Sequence, residues 1–293
     1  MPRAGANGIE LEYDTFGRAA DPTLLLVMGF GAPMILWRVE FCERLAARGL
    51  QVVRFDNRDC GLSSQIDQPV TAELSAVGRA GLAGEPLAAP YTLSDMAADA
   101  VGLLDALGVD AAHVAGASMG GMIVQTLAIE HPKRVRTLVS IMSTTGASDM
   151  PSPKPEAMAA LLAPVATERP AAIERGLAMS RALGSPGYPF DEADERDLLG
   201  RMFDRGVHPD GNARQLLAVM AAKSRRDALG TVRVPTLVIH GIEDPIIPIQ
   251  AGRDTAAAVP GAELLEIEGM GHDLPRALWP QLVDAIAKHV ARG

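Results

Sequence analysis

Only two cysteines, Cys42 and Cys60, occur among the 293 residues of the chain. Two thiols cannot make a disulfide framework, and these two show no metal-ligand spacing. No apolar run approaches the ~20 residues that a membrane helix needs. Met1–Asp21 carries Arg3, Glu10, Glu12 and Asp14 and lacks the apolar core of a signal peptide, so a cytoplasmic protein is expected. Lys and Arg form no cluster, and the net charge is −9, which argues against a nucleic-acid backbone or an anionic membrane as partner. The 29 glycines and 21 prolines follow no collagen period, and no internal repeat is visible. What remains, 48% hydrophobic and 22% charged residues, describes a globular chain long enough for one large α/β domain or two ordinary ones.

Short apolar runs separated by helix-like stretches dominate the sequence. Thr23–Met28, Leu50–Phe55, His113–Ala115, Val135–Ile141, Thr236–His240 and Leu264–Ile267 read as strands. Most are continuously apolar, as strands buried on both faces of a parallel sheet are. Ile9–Phe16 alternates instead and reads as an antiparallel edge strand. Thr92 and Asp95 form a capping-box pattern ahead of Met96, Val101, Leu104 and Leu107, with Gly108 as C-cap; Gly121–His131 is a second helix, stopped by Pro132. Strand–helix alternation predicts right-handed crossovers in a doubly wound, mostly parallel sheet, whose ligands sit beyond the carboxyl ends of the strands.

The alternation breaks between Ile141 and Val234. Turn-rich Gly146–Pro155 opens a stretch without a convincing strand, and helical patterns follow at Glu156–Val165, Ala171–Leu183, Glu192–Arg205 and Asn212–Lys223, punctuated by Ser185–Pro189. The expected organisation is a core of residues 1–145 and 227–293 with a helical cap at 146–226. Gln65–Ala89, rich in Ala, Gly and Pro, reads as a loop beside the same sheet edge.

Gly116-Ala117-Ser118-Met119-Gly120 follows a short apolar strand and opens a helix, the context of a nucleophile elbow. A sharp strand-to-helix turn puts Ser118 in strained backbone space, and glycines two positions either side relieve the crowding. No Lys follows as in a phosphate loop. A serine needs a His base and an acid to orient that base. Of the six histidines, His272 sits in the small-residue turn Gly269-Met270-Gly271-His272 directly after the last strand, and is the candidate base. His240 closes a strand and reads as a packed residue. Asp244, in the turn after that strand, is the candidate acid; Glu243 and Asp149 stand as alternatives.

The chain order Ser118, Asp244, His272 is that of α/β-hydrolases, and the sequence resembles that family over nearly its whole length. Met28-Gly29-Phe30-Gly31 occupies the place of the family's His-Gly oxyanion segment, with Met28 replacing the His. Phe55–Ser63 resembles the D-x-R-G-x-G-x-S turn, with Asp59 in place of the first Gly. The Val-Met-Gly segment and Gly-Met-Gly-His272-x-x-Pro275 look closest to methylesterases of polyketide antibiotics, the aclacinomycin methylesterase type. The resemblance implies a cofactor-free serine hydrolase, without a metal, that cleaves carboxylic esters through an acyl-enzyme. It places the oxyanion donors on the backbone N–H groups of Phe30 and Met119. Gly29, Trp37 and Met142 are candidate pocket residues, and a small-molecule, mainly apolar ester is the expected partner. Carbon–carbon hydrolases, lactonases and perhydrolases share the triad, and a non-catalytic binding protein of the same fold is the reading from another class. Of the methionines near strand ends, Met28, Met119, Met122 and Met142 are expected in the core.

Overall fold

The computed structural model describes residues 2–70 and 73–293. Eight strands form one sheet: β1 (Arg3–Ala6), β2 (Ile9–Phe16), β3 (Thr23–Val27), β4 (Gln51–Phe55), β5 (Ala112–Ala117), β6 (Val135–Ile141), β7 (Thr236–Gly241) and β8 (Glu263–Ile267). Their spatial order is β1-β2-β4-β3-β5-β6-β7-β8. β2 pairs antiparallel with β1 and β4, and every pairing from β4 to β8 is parallel. The sheet is therefore doubly wound and mostly parallel. β2 is not the edge: β1, whose Arg-Ala-Gly-Ala sequence carries no apolar signal, covers it with Arg3 opposite Glu12.

Helices follow in chain order as α1 (Val39–Ala46), α2 (Leu74–Leu82), α3 (Leu93–Ala106), α4 (Met119–Glu130), α5 (Pro155–Leu161), α6 (Arg169–Leu183), α7 (Glu192–Arg205), α8 (Pro209–Met220), α9 (Arg226–Leu229), α10 (Ile249–Ala258) and α11 (Trp279–Val290). Successive strand residues point to opposite faces. Leu25, Val27, Val53 and Val114 accordingly pack with α3 and α4, while Leu24, Leu26, Val52 and Ala115 pack with α1 and α11. Both faces are covered, which is why the strands read as unbroken apolar runs. Thr92 accepts from Asp95 N while Asp95 accepts from Thr92 N, so the capping box of α3 forms as expected. Met28, Met119, Met122 and Met142 are all buried. Among the described residues, no helix is long and apolar enough to cross a membrane.

Helices α5 to α9 lie between β6 and β7. Gln65–Ala89, expected as a loop, instead contains α2; Thr71 and Ala72 within it lie outside the described residues. The small residues of α2 are what let it pack, since a Cβ at Gly78 or Gly81 would run into Leu162 or Met220 of the inserted segment.

The turn after β4 explains how that segment is held. Asp56 is fully buried, accepts from Met34 N (2.7 Å) and Leu62 N (2.9 Å), and pairs with Arg205 at 2.8 Å. Asp59, also fully buried, sits at φ 65° and takes a two-pronged bond from Arg214 at 2.8 Å on each oxygen. Arg58 makes a second fork to Asp99 at 2.6 Å and 2.6 Å, with its guanidinium 4.8 Å from the Tyr91 ring centre. Arg205 and Arg214 come from the inserted helices, so the departure of Asp59 from the glycine pattern has a partner 155 positions away.

Two stability predictions follow from these burials. Arg214→Met leaves the buried Asp59 carboxylate without its counter-charge, with only Tyr91 Oη and Ile66 N still donating to it, and breaking such a pair costs about 3–5 kcal/mol. Asp59→Gly combined with Arg214→Met removes the charge and places a residue at ease with positive φ, at the cost of the acceptor for Tyr91 Oη and Ile66 N, so the double variant recovers part of the loss. Urea denaturation compares them; a double variant no more stable than Arg214→Met would contradict the account. The second concerns His113, whose Nδ1 lies 3.0 Å from Thr137 Oγ1. Burial, with Arg136 and His289 adding, pushes its pKa down to about 4. Between pH 6.5 and 4 the unfolded chain then holds a proton that the folded chain does not. Stability should fall on acidification through that window by about 1.4 kcal/mol per pH unit from this group, and His113→Gln should flatten that slope in unfolding measured against pH.

Candidate active site

The parallel sheet winds one way from β3 to β4 and the other way from β5 onward, so β3 and β5 flank the switch point where such sheets open a crevice. Both carry candidate residues at their carboxyl ends. Ser118 stands between β5 and α4 at φ 56°, ψ −120°. That conformation is costly for a side-chain-bearing residue. It survives because the chain around it is stripped of side chains: a Cβ on Gly116 would lie 2.1 Å from Gly120 O, and one on Gly120 would lie 2.1 Å from Val27 O. Ser118 N donates to Ile141 O (2.9 Å), and Ser143 Oγ donates to Ser118 O (2.8 Å). Ser143 gives no motif signal; its position just past β6 places it there.

His272 and Asp244 reach Ser118 from the turns after β8 and β7. His272 Nε2 is 3.0 Å from Ser118 Oγ, and His272 Nδ1 is 2.6 Å from Asp244 Oδ2. The other oxygen of Asp244 accepts from Ile246 N (2.9 Å) and Ile247 N (2.8 Å), which fixes the carboxylate's plane. His240 Nε2 meets Ile247 O at 2.7 Å, and burial lowers the pKa of this fully enclosed ring. It is a packed residue, as its place at the strand end suggests.

The two alternative acids go elsewhere. Asp149 is exposed and forks with Arg226 at 3.0 Å and 2.6 Å; those hydrogen bonds hold its pKa below the usual carboxylate range. Glu243 accepts from Gly269 N at 2.6 Å and so braces the turn that carries His272. Its carboxylate is committed to the backbone of that turn and not to an imidazole. The inserted segment braces the same turn: His272 N donates to Leu183 O (2.7 Å), Gly187 N to Gly269 O (2.9 Å), and Gly271 N to Ser185 Oγ (2.9 Å). The Ser-Pro-Gly-Tyr-Pro punctuation is therefore a strap along the His272 turn.

Gly29 lies directly over the serine, since a Cβ there would sit 3.1 Å from Ser118 Cβ. Phe30 follows it, and Met119 opens α4, where the first N–H groups have no partner within the helix. Among the described residues, neither Phe30 N nor Met119 N has a bonded acceptor. The helix dipole adds partial positive charge at Met119. Met142, at φ 41° just past the end of β6, is 3% exposed and packs in the core layer under α1 and α11. Trp37 corrects the pocket expectation: it is 1% exposed, stacked on Phe41 with ring centres 5.7 Å apart, and belongs to the core under α1 and α11. An aromatic just after the Met28–Gly31 segment is drawn into the sheet-facing layer because the chain turns there into α1. Among the described residues, no cluster of three or more His, Cys, Asp or Glu side chains could hold a metal ion.

Comparison with known proteins bears on the family and the fold. The chain is 33% identical over 304 residues to rhodomycin D methylesterase of Streptomyces peucetius, covering 96% of this chain and 95% of that protein. It is 27% identical to 2-hydroxy-6-oxononadienedioate/2-hydroxy-6-oxononatrienedioate hydrolase 2 of Pseudomonas putida, covering 92% and 87% of the two chains. The crystal structure of the enol-lactonase from Burkholderia xenovorans superposes with a TM-score of 0.68 at 24% identity, covering 99% and 98%, a likeness of fold. Residues 22–275 match the alpha/beta hydrolase fold family. On that match and on the identity to the methylesterase, the chain belongs to the α/β-hydrolase family.

Proposed function

We propose that the protein is a serine esterase that hydrolyses carboxylic esters through an acyl-enzyme, with Ser118 as nucleophile, His272 as base and Asp244 as the acid that orients it. The hydrogen-bond chain from Ser118 Oγ through His272 to Asp244, at 3.0 Å and 2.6 Å, carries this reading. His272 takes the hydroxyl proton as Oγ bonds to the ester carbonyl carbon, and the carbonyl π electrons move onto oxygen. The N–H groups of Phe30 and Met119 stabilise that oxyanion, each worth on the order of 3 kcal/mol in the transition state. Collapse expels the alcohol with the proton from His272. Water then repeats the sequence on the acyl-enzyme, returning free Ser118 and the acid.

A methyl ester of a bulky apolar acid is the favoured substrate class, supported by the 33% identity to a methylesterase. Residues 146–226 are assigned as the cap. Phe30 packs with Leu162, Leu216 and Leu217, and Ile246 beside Asp244 packs with Ala157 and Leu183, so apolar side chains of this segment stand on both sides of the reacting groups. Such covers exclude water and shape the substrate space.

Steady-state kinetics on a methyl or p-nitrophenyl ester tests the triad. Ser118→Ala should lower kcat by roughly 10³-fold or more with an unchanged circular dichroism spectrum. Asp244→Asn should lower it by about 10⁴-fold, while Glu243→Gln and Asp149→Asn have mild effects. Near-normal turnover by Ser118→Ala would sink the nucleophile, and a severe Asp149→Asn would move the acid. For the cap, Met158→Ala and Leu162→Ala should change KM and acyl-size preference but leave the labelling rate of Ser118 by a small fluorophosphonate unchanged. Equal KM across acyl sizes in both variants would argue that the segment merely packs on the core.

A further inference from the structure

We infer that Gln215, on helix α8 of the inserted segment, is a positioning residue that locks the oxyanion loop, so that the cap completes the catalytic core as well as covering it. The inference rests on the esterase reading above. Gly29–Ala32 is a four-residue turn closed by Ala32 N donating to Gly29 O at 3.4 Å. Its third residue, Gly31, has φ +64°, and a positive φ at that position defines a type II turn. Type I and type II turns differ by a flip of the central peptide, here the one joining Phe30 and Gly31. In a glycine-containing loop that flip is sterically open.

Gln215 closes it. The side chain is fully buried, and both ends of its amide are used: Gly31 N donates to Gln215 Oε1 (2.8 Å), and Gln215 Nε2 donates to Arg58 O (2.7 Å). The first bond holds the central peptide in its type II orientation. The second ties the amide to the turn after β4, which is itself held by Arg58–Asp99 and, through the neighbouring Arg214, by Asp59. On the other side of the loop, Asn57 Nδ2 donates to Met28 O at 2.8 Å. Met28 and Gly31 are thus both anchored, and the Gly29–Phe30 peptide between them is held over Ser118. In that peptide, the carbonyl accepts from Ala32, so the N–H of Phe30 points the opposite way, free of any internal acceptor. A donor fixed in advance needs no reorganisation when the oxyanion forms, which is the source of its catalytic value. Gln215 touches neither Ser118 nor His272; it acts through the backbone of the loop.

The test replaces Gln215 with Leu and, independently, with Met, which fill the space but cannot bond. For each soluble variant, circular dichroism and active-site titration with a fluorophosphonate count the folded, competent enzyme. Kinetics on a p-nitrophenyl ester and the affinity of an alkylboronic acid, which Ser118 converts to a tetrahedral anion, are then measured. Misplacing one donor should lower kcat by roughly 10- to 100-fold, below the 10²–10³ for outright loss of a donor. KM should stay within about twofold, and boronate affinity should fall in step with kcat. Gln215→Glu keeps an acceptor for Gly31 N but loses the donor to Arg58 O and sets two oxygens against each other, so it should recover kcat only in part. A merely structural role would lower the melting temperature and the titrated fraction without changing kcat per competent site. Wild-type kcat and boronate affinity per site in a folded Leu or Met variant would overturn the inference while Ser118-dependent hydrolysis stands. Turnover that survives Ser118→Ala in the wild-type background would instead overturn the esterase reading and this inference with it.

Discussion

A side-chain-bearing residue held at φ 56°, ψ −120° is the constraint around which this molecule is built. The strain at Ser118 persists only because its surroundings over-determine it. Strand β5 delivers the chain, α4 takes it away, and β3 presses close enough that Gly120 has no room for a Cβ. Ile141 and Ser143, at and just past the end of β6, clamp the serine's own peptide groups. Three neighbouring strands therefore converge on one residue. The hydroxyl is raised above the sheet where the His272 turn and the Gly29–Phe30 peptide can both reach it.

The inserted helices are bound into the same construction. Arg205 and Arg214 enter buried carboxylates at the end of β4, Gln215 grips the loop after β3, and Leu183 and Ser185 bond to the turn bearing His272. Buried ion pairs add little net stability over well-packed apolar residues, yet breaking one is severe. Their consequence here is register: one placement of α7 and α8 satisfies Asp56, Asp59 and the Gln215 amide together. A segment tied at the ends of β3, β4 and β8 is a frame for the site. Its apolar side chains, Leu162 and Leu216 among them, then face Phe30 from fixed positions.

Much of this was legible in the sequence, because the strongest signals are local. Strands covered on both faces must be apolar at every position, so β3 and β6 show as runs; an elbow needs glycine on both sides of its serine; a capping box needs Thr92 and Asp95 three apart. The doubly wound sheet, the insertion between β6 and β7, and the candidates Ser118, Asp244 and His272 all follow from such short-range rules. Other elements carried no such rule. β1 has no apolar residue larger than Ala, and α2 is made of small residues whose helical state depends on Leu162 and Met220 packing against it. Trp37, expected at the pocket, lies in the core, since only the direction of the following chain decides which.

What only the tertiary structure decided is the set of contacts between residues remote in sequence. Asp59 in a glycine position reads as an irregularity until Arg214 arrives beside it. Glu243 and Asp244 are adjacent carboxylates on one turn. One is 2.6 Å from His272, and the other bonds Gly269 N, a division set by how the turns after β7 and β8 face each other. Gln215 is an ordinary helical residue by any local criterion, and its grip on Gly31 exists because α8 crosses the loop after β3. Local backbone chemistry wrote the elements and the glycine-flanked Ser118 turn into the sequence. Pairings of buried polar groups across 155 or 184 positions could be fixed only by folding, because burial removes water and leaves each such group only the partners that the packed chain brings within reach.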